Sequence, residues 1–155
     1  LTAIFAAERR IWMVSPYFIP PESITDALRL AARRGVDVRI IIPAKSNHTL
    51  ADWARGPHLG AIVAAGGAVL NYPSMVHAKA MVFDDDVAVF GSANMDERSL
   101  LLNYEIMIAA YSPSTIKQTS AWLEQLINQC QPWQPSESQT RRMLESLADI
   151  VAPLL

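Results

Sequence analysis

Short apolar runs alternate with stretches of helical periodicity along this chain. Residues 11–18, IWMVSPYF, predict a buried strand running into a loop that Pro20 and Pro21 stop. A helix follows over about 22–34. Ile24, Ala27, Leu28 and Ala31 form its apolar stripe, and Gly35 is its natural C-terminal cap. Residues 36–43 predict a second strand closed by Pro43, and 49–65 a second helix made irregular by Pro57 and Gly60. Residues 68–72 read as a short strand, 77–94 as a hairpin and 104–111 as a further strand. Ser112 and Pro113 suit an N-cap and first helical position, and Ile116, Thr119, Leu123, Leu126 and Ile127 share one face of the helix they open. Residues 131–138 read as a linker, and 137–151 as a final amphipathic helix with Leu144, Leu147, Ala148 and Val151 inward. This order predicts an α/β fold: one domain over 1–155, with a mixed sheet flanked by helices on both faces.

Composition narrows the picture. With 155 residues, 51% hydrophobic and 18% charged, the chain can bury a core, and disorder is not expected. A net charge of −2 argues against a protein that coats nucleic acid. The single cysteine, Cys130, permits no internal disulfide and reads as an inert thiol near a helix end. No apolar run reaches the roughly 20 residues of a spanning helix. The start at Leu1, directly in structured-looking sequence, leads us to expect a piece of a longer protein.

The chemistry is concentrated in HAKAMVFDDDVAVFGSAN, residues 77–94. Strand parity puts His77 and Lys79 on one face and Asp84 on the other, near the turn, where it is better placed to pin the chain than to meet a substrate. Ser92 and Asn94 again differ by two, and Gly91 permits a close backbone approach. Glu105 is the sole carboxylate in its apolar stretch and is expected to have a partner. Lys79, Ser92 and Asn94 supply donors for anionic oxygens. His77 supplies a nucleophile or proton carrier, and Glu105 can hold one imidazole nitrogen and fix the tautomer. Such a set suits phosphoryl chemistry, where fixed donors stabilise the extra charge of a five-coordinate phosphorus. It requires no cofactor or metal, and His48, His58 and His77 lack the spacing of a zinc site. A lone strand histidine, or a lysine two residues on, is by itself usually structural; the whole spacing is what carries weight.

That spacing, His77-x-Lys79, then Asp84, then Gly91-Ser92-x-Asn94, resembles the HKD signature of the phospholipase D superfamily. SPYFIPP (15–21) and NMDERSLLLNYE (94–105) are similar to the bacterial cardiolipin synthase branch, here its C-terminal half. The resemblance implies a phosphatidyltransferase in which His77 forms a phosphohistidine and Lys79, Ser92 and Asn94 bind phosphate. Glu105 would hold the imidazole, Asp84 and Gly91 would be structural, and phosphatidylglycerol would be the substrate. It also implies a second motif facing the first, which this chain lacks. Either a missing N-terminal half supplies it or a second copy does, as in single-motif phosphodiesterases and nucleases. The parent protein is then expected at the bacterial inner membrane, and the fragment itself is expected to be soluble.

Elsewhere, Arg33 and Arg34 read as a solvated helix end, and His48 and His58 as surface or loop histidines. Trp53 and Arg55 fall at a candidate site rim, and Tyr17 and Phe18 suit either a lipid groove or the core. Asp96, Glu97 and Arg98 suit a capped turn.

Overall fold

β1 (Arg10–Val14) is the strand on which both layers of the core are built. The computed structural model describes residues 1–135. Ahead of β1 lies a short helix, α1 (Thr2–Ala6), too brief and uncapped to announce itself in the sequence. After β1 come β2 (Phe18–Ile19), α2 (Glu22–Arg33), β3 (Asp37–Pro43), α3 (Thr49–Ala54), α4 (Gly56–Ala64) and β4 (Ala68–Tyr72). Then follow β5 (Ala80–Phe83), β6 (Val87–Gly91), β7 (Met95–Asp96), α5 (Glu97–Leu101), β8 (Met107–Ala110), α6 (Pro113–Ile127) and β9 (Gln131–Pro132).

Seven strands form one mixed sheet in the order β8-β6-β5-β1-β3-β4-β9, with β1, β3 and β4 parallel and β5, β6, β8 and β9 antiparallel to their neighbours. β2 and β7 pair separately as a short parallel bridge. Alternation along β1 splits the core. Ile11 and Met13 pack toward α1, α2 and α4, with Val38, Ile40 and Ile42 of β3. Trp12 and Val14 pack toward α6, where Ile116, Leu123 and Leu126 meet Ile41 and Val82. A strand covered on both faces needs a continuous apolar run, which is why 11–14 shows no polar alternation. Each fully buried Ile, Leu or Met side chain contributes roughly 1.5–3 kcal/mol.

Several expectations need correction. The helix expected over 49–65 is two helices that meet at Arg55, because Pro57 in the first turn of α4 has no N–H to continue the earlier ladder. The strand expected over 104–111 begins only at Met107. The linker expected over 131–138 opens with a strand: β9 pairs with Asn71 and Leu70, and the Trp133 N–H donates to Val69 O at 2.8 Å. The last residues of that linker and the helix expected over 137–151 lie outside the described residues.

Candidate active site

Every group of the candidate site lies at one end of the sheet. The carboxyl ends of β1 and β3, the end of β6 and the starts of β5 and β8 all meet there, as the pairings Val14↔Ala80 and Gly91↔Met107 fix. His77 and Lys79 precede β5, on the irregular stretch that leads into the strand, so pleat parity does not by itself orient them. The structure nevertheless brings them together. The Lys79 Nζ lies 3.1 Å from His77 Nδ1 and 3.3 Å from Nε2. Tyr17 stands edge-on to the His77 ring with centroids 6.4 Å apart, and edge-on to His48 at 6.1 Å.

Glu105 has a partner, and that partner is Ser92. The Ser92 hydroxyl donates to Glu105 Oε2 and accepts the Ile106 N–H at 3.0 Å. The bond expected between Glu105 and the His77 ring is not formed. The chain at 104–106 runs outside the strand and is anchored by Ser92, which turns the carboxylate toward that hydroxyl. The amide of Asn94 also faces inward: its Nδ2 donates to the Ser99 hydroxyl at 3.3 Å, and its Oδ1 is buried without a partner among the described residues. Two of the three expected phosphate donors are therefore held by the protein itself in this state. Lys79, whose Nζ meets the His77 ring and carbonyl, lines an open groove with Gly91 and Trp122.

The electrostatics of Lys79 fit that position. Burial pushes its pKa below the ordinary lysine value, and the carboxylates of Glu105 and Asp96 only partly offset this. An ammonium with incomplete solvation is stabilised when an anion arrives.

Gly91 is where β8 comes closest. A Cβ there would fall 2.1 Å from Ile106 O and 2.9 Å from Met107 Cα, so only glycine lets the two strands meet beside Ser92. At the opposite end of the hairpin, Asp84 occupies a left-handed turn position at φ 50°. Its carboxylate accepts N–H bonds from Glu8 at 2.9 Å, Arg9 at 2.9 Å and Arg10 at 2.7 Å. Burial alone would raise the Asp84 pKa; the three N–H donors and the nearby Arg9 guanidinium outweigh it and hold the carboxyl below its ordinary value. Asp84 touches none of His77, Lys79 or Ser92.

Other polar residues find structural places. Arg55, expected near the rim, is buried, pairs with Asp52 at 3.1 Å and donates to Pro43 O at 3.0 Å, tying α3 to the end of β3. Trp53 is exposed. Arg34 ties the end of α2 to α1 through Ala7 O at 2.9 Å and is not simply solvated. His58 lies on α4, its Nδ1 2.9 Å from Thr25 Oγ1, so it is no loop residue. His48 is the N-cap of α3. Asp96 caps α5 by accepting the Ser99 N–H at 2.7 Å. Phe18 is wholly buried, whereas Tyr17 lines an open cavity. The sequence reading passed over Ser15, a buried hydroxyl that donates to Tyr17 O at 2.6 Å and accepts the Met95 N–H at 3.0 Å, locking the Tyr17 loop to the motif. Its place at the head of SPYFIPP, directly after a buried strand, was the available signal.

The site adjoins a cavity of about 530 Å³ that runs from Tyr17 and Asn94 between the start of α2, His48 and α5. Among the described residues no group of three His, Cys, Asp or Glu side chains could hold a metal ion. No helix among them is long and apolar enough to cross a membrane.

Comparison with known proteins decides the family. Residues 1–127 match the family described as "Cardiolipin synthase, PLD-like domain". The chain belongs to this family. Cardiolipin synthase A of Pseudomonas putida strain GB-1 is 39% identical over 160 residues, covering 100% of this chain and 33% of that protein. Cardiolipin synthase A of Pseudomonas syringae pv. syringae is 38% identical over 99% of this chain and 32% of its own length. The chain thus spans about a third of the curated relatives it matches. Among solved structures, the phospholipase D family member Nuc of Salmonella typhimurium superposes with a TM-score of 0.73 at 26% identity, covering 87% of this chain and 88% of Nuc. The phosphatidylserine synthase of Haemophilus influenzae shares the fold, with a TM-score of 0.71 at 15% identity over 98% of this chain and 41% of its own. The expected phospholipase D-like α/β architecture is therefore the architecture present.

Proposed function

We propose that the protein carrying this chain is a phosphatidyltransferase of the cardiolipin synthase type, and that this chain is its C-terminal catalytic half. His77 attacks the phosphorus of phosphatidylglycerol. A nitrogen–phosphorus bond forms, the bond from phosphorus to the glycerol oxygen breaks, and glycerol leaves with a proton from a histidine of the second motif. A hydroxyl of a second phosphatidylglycerol then attacks the phosphohistidine, gives up its proton and releases His77 as cardiolipin forms. Lys79 neutralises the phosphate, and Ser92 and Asn94 join it once the substrate displaces their present partners.

The observation that carries this reading is the convergence of His77, Lys79, Ser92 and Glu105 at one open sheet end in a chain 39% identical to a cardiolipin synthase A. The half-site is also uncovered. Leu101, Leu102, Tyr104, Ile106, Ile108 and Tyr111 leave an apolar rim exposed around the edge strand β8. A rim of that kind is covered in a finished site, and the second motif-bearing half is the occupant that also completes the chemistry. Such a protein would work at the bacterial inner membrane, where its lipids are.

The test uses the full-length protein on phosphatidylglycerol vesicles. Wild type is expected to form cardiolipin and to trap an acid-labile, alkali-stable phosphatidyl adduct. His77→Ala is expected to lose both, with turnover down on the order of 10⁴-fold or more. Chelators should leave the rate unchanged. Near-normal cardiolipin formation by His77→Ala would overturn the assignment. The other reading, a homodimeric single-motif phosphodiesterase, draws on the end-to-end match with Nuc. It predicts phosphodiester hydrolysis without transfer in the same assay.

A further inference from the structure

With Glu105 bonded to Ser92, the orientation of the His77 ring has to come from another contact. His77 is exposed and lies outside the strand ladder, on the irregular stretch ahead of β5. The Lys79 Nζ stands 3.1 Å from one ring nitrogen and 3.3 Å from the other, too even a contact to select between them. Tyr17 supplies the remaining one. The two rings are close to perpendicular, with planes 80° apart and centroids 6.4 Å apart, within the roughly 4.5–7 Å at which such pairs attract. Among the described residues the imidazole makes no other hydrogen bond or ring contact.

Tyr17 is itself tied down at both ends. Its carbonyl accepts the buried Ser15 hydroxyl at 2.6 Å, and that hydroxyl accepts the Met95 N–H at 3.0 Å. The next residue, Phe18, is wholly buried and pairs in register with Met95. At the far end of the side chain, the Tyr17 hydroxyl donates to Asn47 Oδ1 at 2.5 Å, and the ring meets His48 with centroids 6.1 Å apart. The loops that leave β1 and β3 thus brace one another through this ring. Core packing does not require that, since Phe18 fills the core and Tyr17 is only partly buried. We propose that Tyr17 is a positioning residue of the transfer reaction, holding the plane of the His77 imidazole so that a nitrogen lone pair points at phosphorus. The inference rests on the phosphohistidine step proposed above. The torsion that turns a histidine ring about Cβ–Cγ has broad minima, and the lone pair, which lies in the ring plane, swings with it. A fixed perpendicular ring alongside restricts that rotation before the substrate arrives. In this role Tyr17 touches neither phosphate nor the transferred proton. Its ring matters, and its hydroxyl matters only as a tether to Asn47.

The experiment uses the full-length protein on phosphatidylglycerol vesicles and follows the rate at which the phosphatidyl adduct forms in a single turnover, beside the steady-state KM. Rates are taken per folded molecule, with the folded fraction read by circular dichroism, so that an unstable variant does not count as an inactive one. Tyr17→Leu is expected to slow adduct formation at saturating lipid about ten- to a hundredfold, with KM within about twofold of wild type. Tyr17→Phe keeps the ring and should recover all but about threefold of that rate. Asn47→Ala removes the same tether from the other side and should also cost about threefold. The double variant Tyr17→Phe/Asn47→Ala should cost no more than either alone, as expected for two halves of one bond. A raised KM with an unchanged rate in Tyr17→Leu would make Tyr17 a lipid contact, and a Tyr17→Phe as slow as Tyr17→Leu would make it a proton carrier. Either result overturns the inference, as does a Tyr17→Leu rate per folded molecule equal to that of wild type. A wild-type enzyme that makes cardiolipin but traps no adduct would overturn the phosphohistidine reading beneath it.

Discussion

At its turn, the β5–β6 hairpin buries Asp84 and satisfies the carboxylate with three backbone N–H groups from the segment that enters β1. At its open end the same hairpin leaves His77 and Ser92 exposed, with Lys79 half-buried and desolvated beside the ring. Both ends carry charged groups within one short motif, and only one end uses them to hold the fold. The turn end is pre-satisfied and stable, and the open end is under-satisfied and receptive. Spacing in a signature therefore does not mark its members as a single functional unit. Asp84 belongs to the scaffold that sets β5 against β1, and that pairing is what delivers His77 and Lys79 to the sheet end.

This contrast breaks most sharply when one residue from each end is removed. His77→Ala should abolish transfer while leaving the melting temperature within about a degree or two, since an exposed side chain carries little packing energy. Asp84→Ala should do the reverse in origin. Three part-buried backbone N–H donors lose their acceptor, at a cost of about 2–4 kcal/mol, and activity is lost only to the extent that the protein unfolds. Chemical denaturation read beside turnover per folded molecule separates the two. A stable, fully folded and inactive Asp84→Ala protein would erase the distinction between the two ends.

The acid limb of stability sharpens the same point. The folded pKa of Asp84 is depressed, so its contribution is fully present above the unfolded carboxyl value near 3.9 and is lost as pH falls through the lower folded value. Asp84→Asn should flatten that limb, and denaturation midpoints measured between about pH 2 and 6 would show it.

Next in size is Gly91. Gly91→Ala puts a Cβ 2.1 Å from Ile106 O, so β8 must shift. A stability loss of about 1–3 kcal/mol is expected, with a fall in turnover because the displaced segment also carries the Ile106 N–H and Glu105 bonds to Ser92. Unchanged stability with unchanged activity would mean that the close approach is unimportant.

Much of this was legible in the chain. The continuous run at 11–14, the amphipathic face of α2 and the hairpin spacing specify the sheet centre because each follows from burial or pleat alone. What could not be read depends on contacts between distant segments. Glu105 was expected against His77, and it sits against Ser92, because Ser92 also captures the Ile106 N–H and so fixes where residues 104–106 turn. The alternation of Ile106 and Ile108 imitates a buried strand, although both side chains are exposed in the described residues. An exposed edge strand with alternating apolar residues looks, in sequence, like a strand inside its own core.

The smallest expected effect is the most specific to the open end. Because burial lowers the Lys79 pKa, the unfolded chain binds more protons than the folded one between that lowered value and the ordinary 10.4 or so. Stability from this group therefore rises with pH across that window, and at neutral pH the ammonium costs the fold something. Lys79→Met removes the charge and keeps the length. It should leave the neutral-pH melting temperature unchanged or raise it by about a degree or two, flatten the alkaline rise, and still lower turnover by about 10²–10³-fold through the lost phosphate contact. Added inorganic phosphate should stabilise the wild type and leave Lys79→Met unaffected. A variant that melts lower than wild type at neutral pH would show that Lys79 is a strut like Asp84, and that the two ends of the hairpin are alike after all.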